Sequence, residues 1–229
     1  MTIRNRLLTV ALGLVLSGCN MVISDEPWFT EPGPVQQKTG LWVMLEKADC
    51  PVSATTSLAA MPDCASPILI IDGAYSGPPN DRSLPDAVRY DPAKWDRIDH
   101  VLTDGTPMVD QLRFDATKPN PGAPPPAFRG KVTYLYLAVK PTGFDAEGRI
   151  ISARRWPVMC GPLARGEKDA SGGPRFVTAR PYAGMRLVHD MACNARDVAA
   201  LREAAAISES SAPGAGFLII ESRWLRDAP

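Results

Sequence analysis

The stretch Lys131-Val132-Thr133-Tyr134-Leu135-Tyr136-Leu137-Ala138-Val139 decides the fold. Val132, Tyr134, Tyr136 and Ala138 alternate with Thr133, Leu135, Leu137 and Val139, the period of two that sends successive side chains to opposite faces of a strand. Both faces carry apolar bulk, so this strand is expected at the centre of a sheet, with core on one side and a helix or loop on the other. Asp145-Ala146-Glu147-Gly148 has turn chemistry, and Arg149 to Trp156 is expected to return antiparallel as a hairpin.

Working outward, Leu41, Val43 and Leu45 alternate with Trp42, Met44 and Glu46 to predict a first strand beginning at Gly40. Ile68 to Ile71, between Pro67 and Gly73, is too short for a helix and predicts a buried strand. Gly73 to Gly77 reads as a turn and Ser76 to Asp91 as a mostly polar loop. Trp95, Ile98, Val101 and Leu102 leave helix and strand open, and Val109, Leu112 and Phe114 predict a weak strand. Pro119 to Pro126 places five prolines in eight residues, which no sheet interior accepts, so an exposed loop is expected. Phe176-Val177 and Met185 to Val188 predict short strands. Asn194 as N-cap, with Asp197 three residues on, predicts a helix over Ala195 to Ile207 that buries Val198, Leu201 and Ala205. Phe217 to Glu221 predicts a last strand, with Arg223 to Pro229 trailing away. The fold class that follows is α+β, mostly antiparallel β in a sandwich or barrel-like arrangement, with one helix near the C-terminus packed on the sheet.

The chain begins with a different kind of signal. Arg4 and Arg6 precede an apolar run, Leu7 to Leu16, broken by Thr9 and Gly13; about ten residues is half of the ~20 needed to span a bilayer, so the run reads as a removed secretory signal. Leu16-Ser17-Gly18-Cys19 resembles the lipobox of bacterial lipoproteins. The resemblance implies cleavage before Cys19, a diacylglycerol thioether on that residue and, in many bacteria, a third, amide-linked chain. It also implies a membrane partner held through this N-terminal lipid anchor, since two or more acyl chains give stable anchoring where one gives only reversible binding. In that class an Asp after the Cys marks inner-membrane retention; Asn20 stands there instead, which favours the outer membrane, facing the periplasm. The organisation expected is a signal peptide over 1–18, an acylated Cys and Pro-rich tether over 19–39, and one β-rich domain over 40–229. Pro27, Pro32 and Pro34, with Asp25, Glu26 and Glu31, give the tether its character, with a reach of roughly 60 Å if fully extended. Trp28-Phe29 leaves two places open, the membrane interface and the body of the protein, with docking onto the body favoured.

With Cys19 acylated, Cys50, Cys64, Cys160 and Cys193 remain, an even number for an oxidising compartment. Pairing neighbours in chain order gives Cys50 to Cys64 and Cys160 to Cys193, with loop-closure stabilisation of about 3 and about 3.8 kcal/mol. No pair has zinc-knuckle spacing and the chain has two histidines, so neither metal nor cofactor is expected.

The chain carries 25 basic and 25 acidic residues; without Arg4 and Arg6 the balance is 23 against 25, leaving no electrostatic footprint for nucleic acid. There is no G-x-S-x-G elbow, H-E-x-x-H helix, phosphate loop or dinucleotide fingerprint. His189-Asp190 and His100 beside Asp99 are the pairs from which a base and its orienter would be built, and Arg154-Arg155-Trp156 a cation–π platform. Gly40-Leu41-Trp42 is similar to the Gly-x-Trp that opens the first strand of lipocalins, which implies a β-barrel for a small apolar ligand. The missing motifs favour a non-catalytic envelope lipoprotein acting through protein or ligand contacts, ahead of a lipocalin-like carrier and of a periplasmic hydrolase.

Overall fold

The computed structural model describes residues 20–79, 84–115, 131–162, 178, 180–189, 192–211 and 219–228. Cys19, the Pro119 to Pro126 segment and Phe176-Val177 lie outside them.

Eight strands form a closed barrel: β2 (Gly40–Leu45), β3 (Ala65–Ile71), β4 (Ala74–Gly77), β5 (Asp96–Gly105), β6 (Met108–Asp115), β7 (Val132–Phe144), β8 (Ile150–Pro157) and β11 (Ile220–Arg226). Each pairs antiparallel with the next in this order, and β11 closes the ring between β8 and β2. Closure leaves the barrel strands no free edge. A flap is attached outside it. β8 pairs with β7 from Leu137 to Phe144, and β1 (Met21–Ser24) takes up the part of β7 that β8 leaves, with Ile23 opposite Leu135 and Ser24 opposite Tyr134. β10 (Ala192–Ala195) then pairs parallel with β1, and β9 (Met185–His189) antiparallel with β10 as the outermost strand.

The period of two divides the apolar residues into an inner and an outer set. Trp42, Ile70, Tyr75, Leu102, Met108, Leu112, Leu135, Val139 and Ala153 pack together across the lumen. On the outer side of β7 and β8, Tyr136, Ala138, Trp156 and Val158 lie beneath α1 (Val198–Ser211), which supplies Ala200, Leu201, Ala204 and Ala205. Around the ring, Leu41, Val43, Leu45 and Leu69 are covered by Trp95 and by the loop that the Cys50–Cys64 disulfide closes. The Cys160–Cys193 disulfide ties the segment after β8 to β10. Both expected pairings are present.

A strap crosses one end of the barrel. Gly33 N donates to Leu102 O of β5 at 2.8 Å, Ile150 N of β8 to Gln36 O at 2.9 Å, and Lys38 N to Ile150 O at 2.9 Å. The approach is close enough that a Cβ on Gly33 would stand 2.6 Å from Asp104 N. At Gly40, where strap becomes strand, φ is +131° and a Cβ would meet Arg226 O at 2.5 Å, so glycine is required on both counts.

Several expectations need correction. The tether over 19–39 fails from its first described residue: Asn20 to Ser24 are all at most 4 % exposed, and Gln37 is buried. Four residues bounded by charge and proline form too short a run to read as a strand alone; β7 and β10 supply the pairing that makes them one. Tyr75 and Ser76 lie in β4, with the turn confined to Asp72-Gly73. The open case of Asp96 to Gly105 is a strand. The helix begins at Val198, not Ala195, because Asn194 and Ala195 are used by β10, and Asp197 Oδ1 caps it by accepting from Ala200 N at 2.8 Å. Phe217 and Leu218 of the expected last strand lie outside the described residues; the strand runs over Ile220–Arg226, where Trp224 and Leu225 continue the alternation. Trp42 and Tyr136 are both fully buried, in different layers, and Trp28 and Phe29 pack against the outer one.

Candidate functional site

Within the apolar lumen lies a cluster of ionisable and polar side chains from five barrel strands and the strap. Tyr75 (β4), His100 (β5), Asp110 (β6), Arg155 (β8) and Ser222 (β11) all fall on the inward parity that register assigns. Gln37 enters from the strap. Asp110 is fully buried and the Arg155 side chain is 5 % exposed.

Asp110 is the hub. Its Oδ1 faces His100 Nδ1 at 2.8 Å; its Oδ2 accepts from the Tyr75 hydroxyl and lies 3.5 Å from Arg155 Nη1. Burial by itself pushes the carboxyl pKa up, but the attraction and hydrogen bond of His100, then Arg155, outweigh it and hold Asp110 below its ordinary value. Tyr75 goes the other way: burial dominates and raises its pKa well above 10, so it stays a neutral donor. Its ring stacks on His100 with centroids 4.1 Å apart, and Arg155 Nη1 donates to its oxygen at 2.6 Å. A hydroxyl has one proton, and Tyr75 gives it to Asp110. Arg155 offers only donors, so the Gln37 amide oxygen must face the guanidinium while its nitrogen, 2.8 Å from Tyr75 Oη, donates to it. Arg155 Nε donates to Ser222 Oγ at 3.0 Å, and Ser222 Oγ in turn donates a hydrogen bond to Ala153 O at 3.2 Å.

This arrangement is mutually satisfied rather than poised. His100 Nδ1 meets a carboxylate, not a serine, and that carboxylate is Asp110, not the adjacent Asp99. Alternation sends Asp99 outward, to Arg97 at 3.1 Å. Ser222 is tied to an arginine and a carbonyl, neither of which can take its proton, so it is not an activated nucleophile. A groove of about 240 Å³ lies at β8 and β11 beside Thr142, Ser152, Arg154, Glu221 and Arg223, away from this cluster's Asp110 and His100. Among the described residues no three His, Cys, Asp or Glu side chains are grouped to hold a metal.

The other sequence candidates are separated. His189 ends β9, and Asp190 lies outside the described residues. Arg154, Arg155 and Trp156 cannot form one platform because they alternate: Arg154 pairs outward with Glu209 at 2.9 Å, Trp156 Nε1 donates to Ala205 O at 2.9 Å beneath α1, and only Arg155 enters the lumen. There its guanidinium lies over Tyr75 and Trp42, 5.3 and 5.9 Å from the ring centroids. Reading residues beside their neighbours in sequence missed this cluster, whose members meet only through barrel register; the signal available was an Asp and an Arg placed among inward apolar residues of two strands.

No family model, curated protein or solved structure matches this chain.

Proposed function

We propose that the protein is a membrane-anchored bacterial envelope lipoprotein, acylated at Cys19, whose barrel is a non-catalytic scaffold acting through protein or ligand contacts in the periplasm, with the outer membrane as its site. The observation that carries this reading is Leu16-Ser17-Gly18-Cys19 directly after a basic start and an apolar run. Two disulfides support it, since such bonds persist outside the reducing cytoplasm. So does the Asp110 cluster, in which both carboxylate oxygens are bonded and Ser222 Oγ lies against an arginine and a carbonyl rather than a base. Labelled palmitate is expected in the wild-type chain and absent from Cys19→Ala; labelling that persists in the variant overturns the reading.

A second reading, a lipocalin-like carrier of a small apolar ligand, is favoured by the barrel itself: eight strands close in sequence order, and Gly40-Leu41-Trp42 opens the first with Trp42 turned into the lumen. In this reading the ligand has to displace side chains that fill the lumen centre. Micromolar binding of an apolar fluorescent probe, competed by a lipid and lost in Ala153→Trp, would promote it over the scaffold reading.

A further inference from the structure

The acyl anchor of the proposed lipoprotein would leave the body at a fixed point. Asn20 is 1 % exposed, and its side chain donates to Gly161 O at 2.9 Å and accepts from Thr178 N at 3.1 Å. Its backbone is in the left-handed region, with φ of 61°, and its carbonyl accepts from Cys160 N at 2.8 Å. Residue 19 is one peptide bond away, so its Cα lies about 3.8 Å from that of Asn20. The slack expected of a tether does not exist at this end.

Two strands to the side, the flap presents apolar residues to solvent. Met21 lies opposite Ala192 and Ala192 opposite His189, so β9 is two strand spacings from β1, about 10 Å. Leu187 and Val188 of β9 are 45 % and 43 % exposed, on a strand that, among the described residues, pairs only with β10. Arg186, exposed, precedes them on the same strand. Phe144, at 52 %, is the other exposed large apolar side chain among the described residues. It lies seven residues along β7 from Leu137, which the antiparallel register places level with Met21, or roughly 20 Å away.

We propose that the exposed β9 edge of the flap, Arg186, Leu187 and Val188, rests on the bilayer surface, held there by an anchor that leaves the body at Asn20. Leu187 and Val188 reach the boundary between head groups and acyl chains, and Arg186 meets anionic head groups. The inference rests on the anchor at Cys19. Acyl chains fixed to the residue before Asn20 hold β9 within reach of lipid at all times, so a patch too small to bind a membrane alone is occupied by it through effective concentration. The bilayer also covers an apolar outer strand that would otherwise invite pairing with another chain.

The test uses the acylated full-length protein in vesicles of phosphatidylethanolamine and phosphatidylglycerol. An environment-sensitive fluorophore is attached at Leu187→Cys, at Val188→Cys as an independent position, and at Phe144→Cys as the distal reference. Quenching by lipids carrying a nitroxide high on the acyl chain is expected to be at least several-fold stronger at 187 and 188 than at 144. Equal, weak quenching at all three positions, in protein that carries the acyl mass and floats with the vesicles, overturns this inference alone. A label at 187 that becomes protected in lipid-free Cys19→Ala protein as concentration rises shows that a second chain adds to β9, and overturns it as well. Absence of the acyl mass and of flotation overturns the anchor and this inference with it.

Discussion

On the outward side of β7 and β8, Tyr136, Ala138, Trp156 and Val158 meet Ala200, Leu201, Ala204 and Ala205 of α1, with polar atoms confined to single hydrogen bonds such as Trp156 Nε1 to Ala205 O. On the inward side of the same strands, Leu135, Val139 and Ala153 surround Asp110 and Arg155. The outward layer is held by apolar burial. The inward layer contains an ion pair whose desolvation offsets much of its own attraction, so apolar residues there would serve stability about as well. What the cluster adds is selection of register. Its donors and acceptors come from β4, β5, β6, β8 and β11, and a one-residue slip of any of them turns a charged or polar side chain outward and leaves its partner unpaired.

That contrast can be broken most directly at Asp110. Asp110→Ala leaves Arg155 buried without its carboxylate and is expected to cost about 3–5 kcal/mol in denaturant unfolding. Asp110→Leu combined with Arg155→Met is expected to be more stable than Asp110→Ala. A double variant less stable than the single one would mean that the cluster is a stabilising element after all. In the outward layer Leu201→Ala is expected to cost about 3 kcal/mol through the cavity it leaves, with the unfolding transition otherwise unchanged. Asp197→Ala removes the cap of α1 and is expected to cost about 1 kcal/mol, lowering helix protection in hydrogen exchange before the barrel strands are affected.

Acid titration sharpens the contrast further. Asp110 has a folded pKa below its unfolded value, so its contribution is present above about pH 4 and is lost as pH falls through the lower folded value. The acid limb of the stability curve is expected to flatten in Asp110→Asn. In the turn after β7, burial would raise the pKa of Asp145, but hydrogen bonds from Arg149 prevail and pull it down to about 2. NMR titration of its carboxyl is expected to move back towards the ordinary range in Arg149→Ala, with little change in stability, because the pair lies at the surface.

The sequence made the barrel wall legible where alternation was long and bounded: Lys131 to Val139, Gly40 to Leu45 and the hairpin through Asp145 read directly. It was opaque where an element depends on partners far along the chain. Met21 to Ser24 become a strand only between Leu135 and Ala192, and Ala74 to Gly77 only between β3 and β5. The disulfides were legible because compartment and parity restrict cysteines strongly. The lumen cluster was not, because period two assigns a face but register decides which residues share a level, and His100 beside Asp99 in the chain points to the wrong carboxylate.

The burial of Asn20 bears on the order of events in the export proposed above. Its partners Gly161 and Thr178, and the β10 residues beside Met21, lie 141 to 172 positions further along the chain. A chain that emerges N-terminus first presents residues 19 and 20 to the envelope long before those partners arrive, and closing so long a loop is a late step. In a lipoprotein matured at Cys19, the processing enzymes therefore have access to their substrate while β1 is still undocked. Once Cys160 and Asn20 have met, Asn20 to Ser24 are buried, so the maturation at Cys19 proposed above belongs before the docking of β1.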